Sequence, residues 1–254
     1  RSLFAPISIN ILLKRKKKEI ALSDRVCVIT GVGWGTGSAI VQKFAASGYK
    51  VAMLARREDR LAKLENDIKN ANAYPCDVAN TGALTETLEK ITKDLGGPSV
   101  VIHNAVSGAW GNFMEIEPSD LEKNFQVNTM ALLHLARLTL PKMIEEGHGS
   151  LICTGNTSAH RGRAGYAGFA PTKAAQRILA QSIAREAGPK GIHVAYITID
   201  AVIDLRWTRK RYPEKSDDFF IRPDEIADEV YHVVHQSRGA WSFDVEIRPH
   251  GETW

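Results

Sequence analysis

Short apolar runs alternate with amphipathic stretches along almost the whole chain. The runs RVCVIT (25–30), KVAMLA (50–55), the segment 72–76, SVVIHN (99–104), SLICTG (150–155), IHVAYITI (192–199) and FDVEI (243–247) are short and rich in β-branched residues, which predicts strands. Between them, SAIVQKFAAS places Ile40, Val41, Phe44 and Ala45 on one helical face before Gly48 stops it. Helical patterns recur near 58–70, 81–94, 119–144, 169–187 and 223–236. Seven strands separated by helices predict an α/β fold with a doubly wound, seven-stranded parallel sheet and helices on both faces. Right-handed crossovers would then place ligands at the strands' carboxyl ends.

The first strand is followed at once by GVGWGTG (31–37) and then by the first helix. That order turns a glycine pattern into a phosphate site, because backbone amides at the helix start face the anion and missing side chains permit close approach. The expectation is a single Rossmann domain over 23–254, with Gly31, Gly35, Thr36 and Gly37 in the phosphate loop.

Composition narrows the class. With 254 residues and 44% apolar content the chain can bury one large core. The formal net charge of +4 is concentrated in residues 1–22, where KRKKK (14–18) and Arg1 outweigh Glu19 and contribute +5, leaving −1 for the body. No nucleic-acid surface follows from that balance. Residues 1–22 read as a disordered basic extension, and their apolar run LFAPISINILL is about half the roughly 20 residues a membrane span needs. Cys27, Cys76 and Cys153 are far apart beside apolar runs, which predicts buried reduced thiols, no metal site and a cytoplasmic protein.

These motifs resemble the short-chain dehydrogenase/reductase family from Ser23 to about Pro249. TGVGWGTG (30–37) matches its TGxxxGxG loop, Asp77 its adenine-binding aspartate, and Asn104 in HNAV the asparagine of its NNAG motif. Asn128 and Lys173 match the asparagine and lysine of its catalytic tetrad. The resemblance further assigns Val78, Ala105 and Val202 to the cofactor's edge. It implies a nicotinamide cofactor, a small-molecule substrate, and homodimers or homotetramers packed through the helices near 119–144 and 169–187. A carboxylate at the end of the second strand would bind a free ribose hydroxyl, whereas arginine accepts a 2'-phosphate. Here LARRED puts Ala55 at that position with Arg56 and Arg57 behind it. NADP(H) is the expected cofactor, with NAD(H) not excluded.

The same resemblance exposes departures. The family's tyrosine lies four residues before its lysine, and that place holds Phe169, which has no proton to give. Asn156 stands where the family keeps a serine, and Asp200 and Ala201 replace its PG turn. Tyr166, seven residues before Lys173, gives a Y-x6-K spacing that resembles the related enoyl reductases. The candidate catalytic set is therefore Asn128, Asn156, Tyr166 and Lys173. DLRWTRKRYPEKSDDFF (204–220) lies where the family folds a lid. Its Arg206, Trp207, Arg209, Arg211 and Tyr212 could grip an acidic or CoA-linked substrate or form a solvated loop. Trp110 and Phe113 could form an apolar wall, and His103 and His160 fall near strand ends facing the same pocket. Two functions stay open: a reductase acting on a carbonyl, enone or enoyl substrate with altered acid chemistry, and an inactive NADP(H)-binding sensor or partner subunit.

Overall fold

The computed structural model describes residues 25–252, so the expected disordered extension over 1–22 lies outside the described residues. In chain order the strands are β1 (Val26–Thr30), β2 (Lys50–Ala55), β3 (Ala71–Pro75), β4 (Pro98–His103), β5 (Gly149–Asn156), β6 (Ile192–Ile199), the two-residue β7 (Val202–Ile203) and β8 (Phe220–Ile221), and β9 (Asp244–Ile247). Seven of them form one sheet in the order β3-β2-β1-β4-β5-β6-β9, all pairs parallel. β1 and β6 are buried along their whole length. They read as continuous apolar runs because helices cover both faces.

On one face α1 (Thr36–Ala46), α2 (Glu58–Asp67) and α8 (Pro223–Val234) supply Phe44, Leu61, Leu64 and Val230 to a buried cluster. On the other, α3 (Thr81–Leu95), α5 (Ala131–Glu146) and α6 (Ala170–Ala187) supply Leu84, Leu135 and Ala180. Phe44 is fully buried and meets Tyr49 and Tyr231 edge-on, with centroids 5.2 and 5.3 Å away. Burying such a ring is worth about 2–3 kcal/mol, and Lys43 pairs with Asp228 at 2.6 Å across the same α1–α8 contact. All three cysteines are free and buried.

Two sequence expectations change. The helix expected over 119–144 is α4 (Pro118–Phe125) and α5 joined by a π-helical turn, Gln126–Met130. The wider turn is centred on Asn128, whose side chain is taken up by Ser107 and Thr172 on neighbouring elements. Tertiary capture of this kind leaves no mark on hydrophobic periodicity. The segment 204–220 contains α7 (Arg206–Arg211) and leads into β8, which pairs with β7. Within it, Arg209 is not available to a substrate: Asp204 grips its guanidinium at 2.7 and 2.8 Å and Asp217 at 2.6 Å. The order of the sheet reverses between β1 and β4, where diverging connections leave a crevice at the carboxyl ends. Among the described residues, no helix is long and apolar enough to cross a membrane, and no group of three or more His, Cys, Asp or Glu could hold a metal.

Candidate active site

The crevice is a cavity of about 670 Å³. Every residue expected at the cofactor lines it except Lys173 and Val202, the latter lying in β7 against Phe220. Gly31 has φ +72°, and a Cβ there would lie 2.4 Å from the Ala105 Cα; a Cβ on Gly37 would lie 2.6 Å from the Gly31 carbonyl oxygen. Only glycine permits this crossing of β1 and β4. Asn104 ties it together: its Nδ2 donates to the Gly31 carbonyl at 3.0 Å, and its Oδ1 accepts from the Thr154 hydroxyl at 2.8 Å. Among the described residues the α1 start has no side-chain cap and no acidic residue in its first turn, so no carboxylate competes with an anion for the positive end of its dipole.

At the far end of the crevice Arg56 and Arg57 are exposed. Arg60, which the sequence reading missed, joins them on the wall. Its guanidinium lies 5.5 Å from the Trp34 ring centroid, and its Nε is buried with no hydrogen-bond partner among the described residues. A buried, unpaired donor in a cationic wall calls for an acceptor, and a phosphate oxygen would satisfy it. The signal was present in the sequence as a third arginine one helical turn past Arg56.

The other end narrows to a cavity of about 170 Å³, whose walls include Thr36, Thr154, Asn156, Lys173 and Ile203. Among the described residues, Lys173 is its one ionisable lining residue. The ammonium donates to the Thr154 carbonyl at 3.3 Å and to Gln176 Oε1, and burial lowers its pKa to about 8. Asn156 Oδ1 accepts from the Ser158 amide at 3.1 Å, which leaves the donating end of this amide free of that turn.

Asn128 does not line the cavity. Its Oδ1 accepts from Ser107 N at 2.9 Å, while Nδ2 donates to the Ser107 carbonyl and the Thr172 hydroxyl, both at 2.8 Å. It clamps the loop after β4 onto the start of α6. His103 differs from the expected pocket position: fully buried, it hydrogen-bonds Thr30 Oγ1 at 3.0 Å and the Asn128 carbonyl at 3.3 Å. Since a carbonyl only accepts, Nε2 carries the proton and Nδ1 accepts from Thr30. Burial, and then the charge of Lys173, lower its pKa to about 4.

Tyr166 is elsewhere. With Phe113, His160 and Ala170 it lines a third cavity of about 620 Å³, to which Lys173 and Asn156 do not contribute. Trp110 meets the Tyr166 ring edge-on at 4.8 Å, and the Arg163 guanidinium lies 5.3 Å from its centroid. Trp110 also packs on Phe169 at 4.7 Å, so Phe169 is 3% exposed. His160 hydrogen-bonds Thr198 at 3.0 Å.

Comparisons with known proteins agree with this architecture. The family model described as short chain dehydrogenase matches residues 25–207. An uncharacterized oxidoreductase of Staphylococcus aureus is 26% identical over 230 residues, 90% of this chain and 98% of its own. A solved metagenomic short-chain oxidoreductase in complex with NADP superposes with a TM-score of 0.78 at 25% identity, covering 90% of this chain and 98% of that one. A short-chain dehydrogenase from Rhodopseudomonas palustris gives 0.78 at 28% identity, covering 89% and 99%.

Proposed function

The chain belongs to the short-chain dehydrogenase/reductase family, and from that premise we propose that it is an NADP(H)-dependent reductase of carbonyl, enone or enoyl substrates with an altered proton-donating site. The observation that carries the reading is one continuous arrangement. A glycine-only phosphate crossing lies between three arginines and the small cavity of Lys173. The related structure in complex with NADP supports the choice of cofactor.

Arg56, Arg57 and Arg60 hold the 2'-phosphate, and Gly31, Gly35, Thr36 and Gly37 cradle the pyrophosphate. Asp77, Val78, Asn104 and Ala105 line the remainder, whereas Val202 of β7, paired with Phe220, stands outside it. Arg60→Ala is expected to weaken NADPH binding about tenfold or more while changing NADH binding little, since a charge-assisted bond to the phosphate is worth roughly 1.5–3 kcal/mol. Fluorescence titration with both nucleotides checks it, and equal losses would remove Arg60 from the phosphate site.

Bound NADPH supplies a hydride to an electrophilic carbon. Negative charge then develops on the substrate oxygen, where the Asn156 amide donates a hydrogen bond and the Lys173 ammonium adds a positive field. Asn128 holds this end of the site in place through Ser107 and Thr172. Phe169 has no hydroxyl, and Tyr166 supplies one from the neighbouring cavity. A substrate that uses both must extend between the two cavities. Large apolar side chains on α5 and α6, Leu138 and Ile178, are 41% and 55% exposed, which supports homodimer or homotetramer pairing through these helices in a cytoplasmic protein.

NADPH consumption over a panel of enones, enoyl thioesters, ketones and diketones tests the reading. Turnover is expected on the conjugated substrates, and Tyr166→Phe should lower it about a hundredfold, the lower range for losing a general acid. Turnover unaffected by Tyr166→Phe would take Tyr166 out of the chemistry. The buried Phe169 favours a second reading, an inactive NADP(H)-binding sensor or partner subunit. Tight NADPH binding with no turnover on any substrate would establish that one.

A further inference from the structure

Lys173 is not held by its own helix alone. One turn later on α6 is Gln176, fully buried in the face that otherwise packs on the sheet. Its Oε1 accepts from the Lys173 ammonium, and its Nε2 donates to the Asn128 carbonyl at 2.6 Å. The same carbonyl accepts from His103 Nε2 at 3.3 Å, and Thr30 bonds the other ring nitrogen at 3.0 Å. Tyr196 donates to Gln176 Oε1 at 3.5 Å. A fully buried amide with both ends bonded is over-determined in position.

We propose that Gln176 is the positioning residue of this site: it ties the Lys173 ammonium to the main chain of the π-helical turn and keeps its remaining N–H on the cavity side. This rests on the reading of the cavity as the reactive end of a cofactor site. Two of the three ammonium protons are committed, to Thr154 and Gln176, which leaves one for a ligand. An amide neither gains nor loses a proton near neutrality. Gln176 therefore blocks proton exchange between Lys173 and the His103 side, and Lys173 exchanges through the cavity.

The groups facing Lys173 make its titration separable. They are Cys153 on β5, its thiol pushed up to about 12 by burial, His103 on β4, and Tyr196 on β6, also raised by burial. None of them is a carboxylate. Gln176→Glu puts an anion against the ammonium and should raise the Lys173 pKa by about one unit or more; Gln176→Leu removes an acceptor and should lower it by about half a unit or more.

The experiment is a lysine-selective 13C NMR titration of the whole chain and both variants, with Lys173 assigned by its absence in Lys173→Met. NADPH affinity is measured at each pH by fluorescence. Shifts of opposite sign are expected, with NADPH bound several-fold more weakly by Gln176→Leu near pH 8. The same Lys173 pKa in all three folded proteins would overturn the proposal. If Gln176→Leu does not fold, the upward shift in Gln176→Glu decides alone. NADPH binding absent at every pH would count against the cofactor reading, while the NMR pKa values would still decide the role of Gln176.

Discussion

Replacing Lys173 with methionine is expected to lower NADPH-dependent turnover at least about a hundredfold while leaving the melting temperature of the free protein unchanged or slightly higher. The two effects have one cause. Lys173 is 2% exposed and its pKa falls to about 8 from the ordinary 10.5 because burial penalises the ammonium. At pH 7 the folded protein carries that whole cost, on the order of 3 kcal/mol. Methionine removes it, but leaves Gln176 Oε1 with only the 3.5 Å bond from Tyr196 and takes the ammonium donor from the Thr154 carbonyl, at up to about 1–3 kcal/mol each. The terms offset, so stability moves little. Catalysis has no such offset, because the charge beside the developing oxyanion is lost.

The pH dependence follows from the direction of the shift. Between about 8 and 10.5 the folded protein has released a proton that the unfolded chain still binds. This group's contribution to stability therefore rises with pH across that window. The buried Cys153 and Tyr196 act in the opposite sense, since burial makes the fold retain their protons. The informative quantity is thus the difference in melting temperature between the natural chain and Lys173→Met, at pH 7 and again near pH 10. It should shift in favour of the natural chain at the higher pH. A pH-independent difference would mean that Lys173 is not titrating in its buried place.

The parts of this molecule legible in its sequence are those set by local pattern. The seven strands of the sheet and the glycine loop are written as apolar runs and as residues without side chains. The strand bounds fall within a residue or so of the expected ones, as in β4, expected over 99–104 and found at Pro98–His103. Features that depend on what lies opposite in space were hidden. Nothing in QVNTM announces a π turn, because its cause is Ser107 and Thr172, 21 and 44 residues from Asn128. The sequence leaves Arg209 open between a substrate grip and a solvated loop, since its neutralising partners Asp204 and Asp217 meet it only once the segment 204–220 has folded. Tyr166 precedes Lys173 by seven residues, yet the intervening Gly168, with no side chain, backs directly onto Ala109 and the loop delivers the ring to a different cavity. Gln176 was closer to legible: a polar residue three positions after a buried lysine, on a face otherwise apolar, has to be bonded to something.

Gly31→Ala is expected to destabilise the fold by about 3 kcal/mol and to abolish NADPH binding, whereas Gly48→Ala should cost only about 1 kcal/mol and leave binding intact. Both glycines have positive φ, +72° and +92°, so both substitutions carry the strain of a left-handed backbone. They differ in surroundings. A Cβ on Gly48 meets no described atom within 4 Å, while one on Gly31 lies 2.4 and 2.5 Å from the Ala105 Cα and N. Those are backbone atoms two residues beyond the end of β4, and they cannot turn aside as a side chain would. Relief requires β1 and β4 to part at their carboxyl ends, which pulls on the Asn104–Gly31 bond at 3.0 Å and the Ala105–Thr30 bond at 3.3 Å. The same movement widens the phosphate crossing and turns Asn104 away from Thr154, so the cofactor cradle fails along with the strand ends. In a domain of this size about 3 kcal/mol corresponds to a fall in melting temperature of roughly 6–12 °C, and Gly48→Ala should fall by a third of that. Thermal denaturation of the two variants beside fluorescence titration with NADPH separates strain from collision. Equal losses in both would mean that backbone conformation, and not the approach of β1 to β4, governs this site.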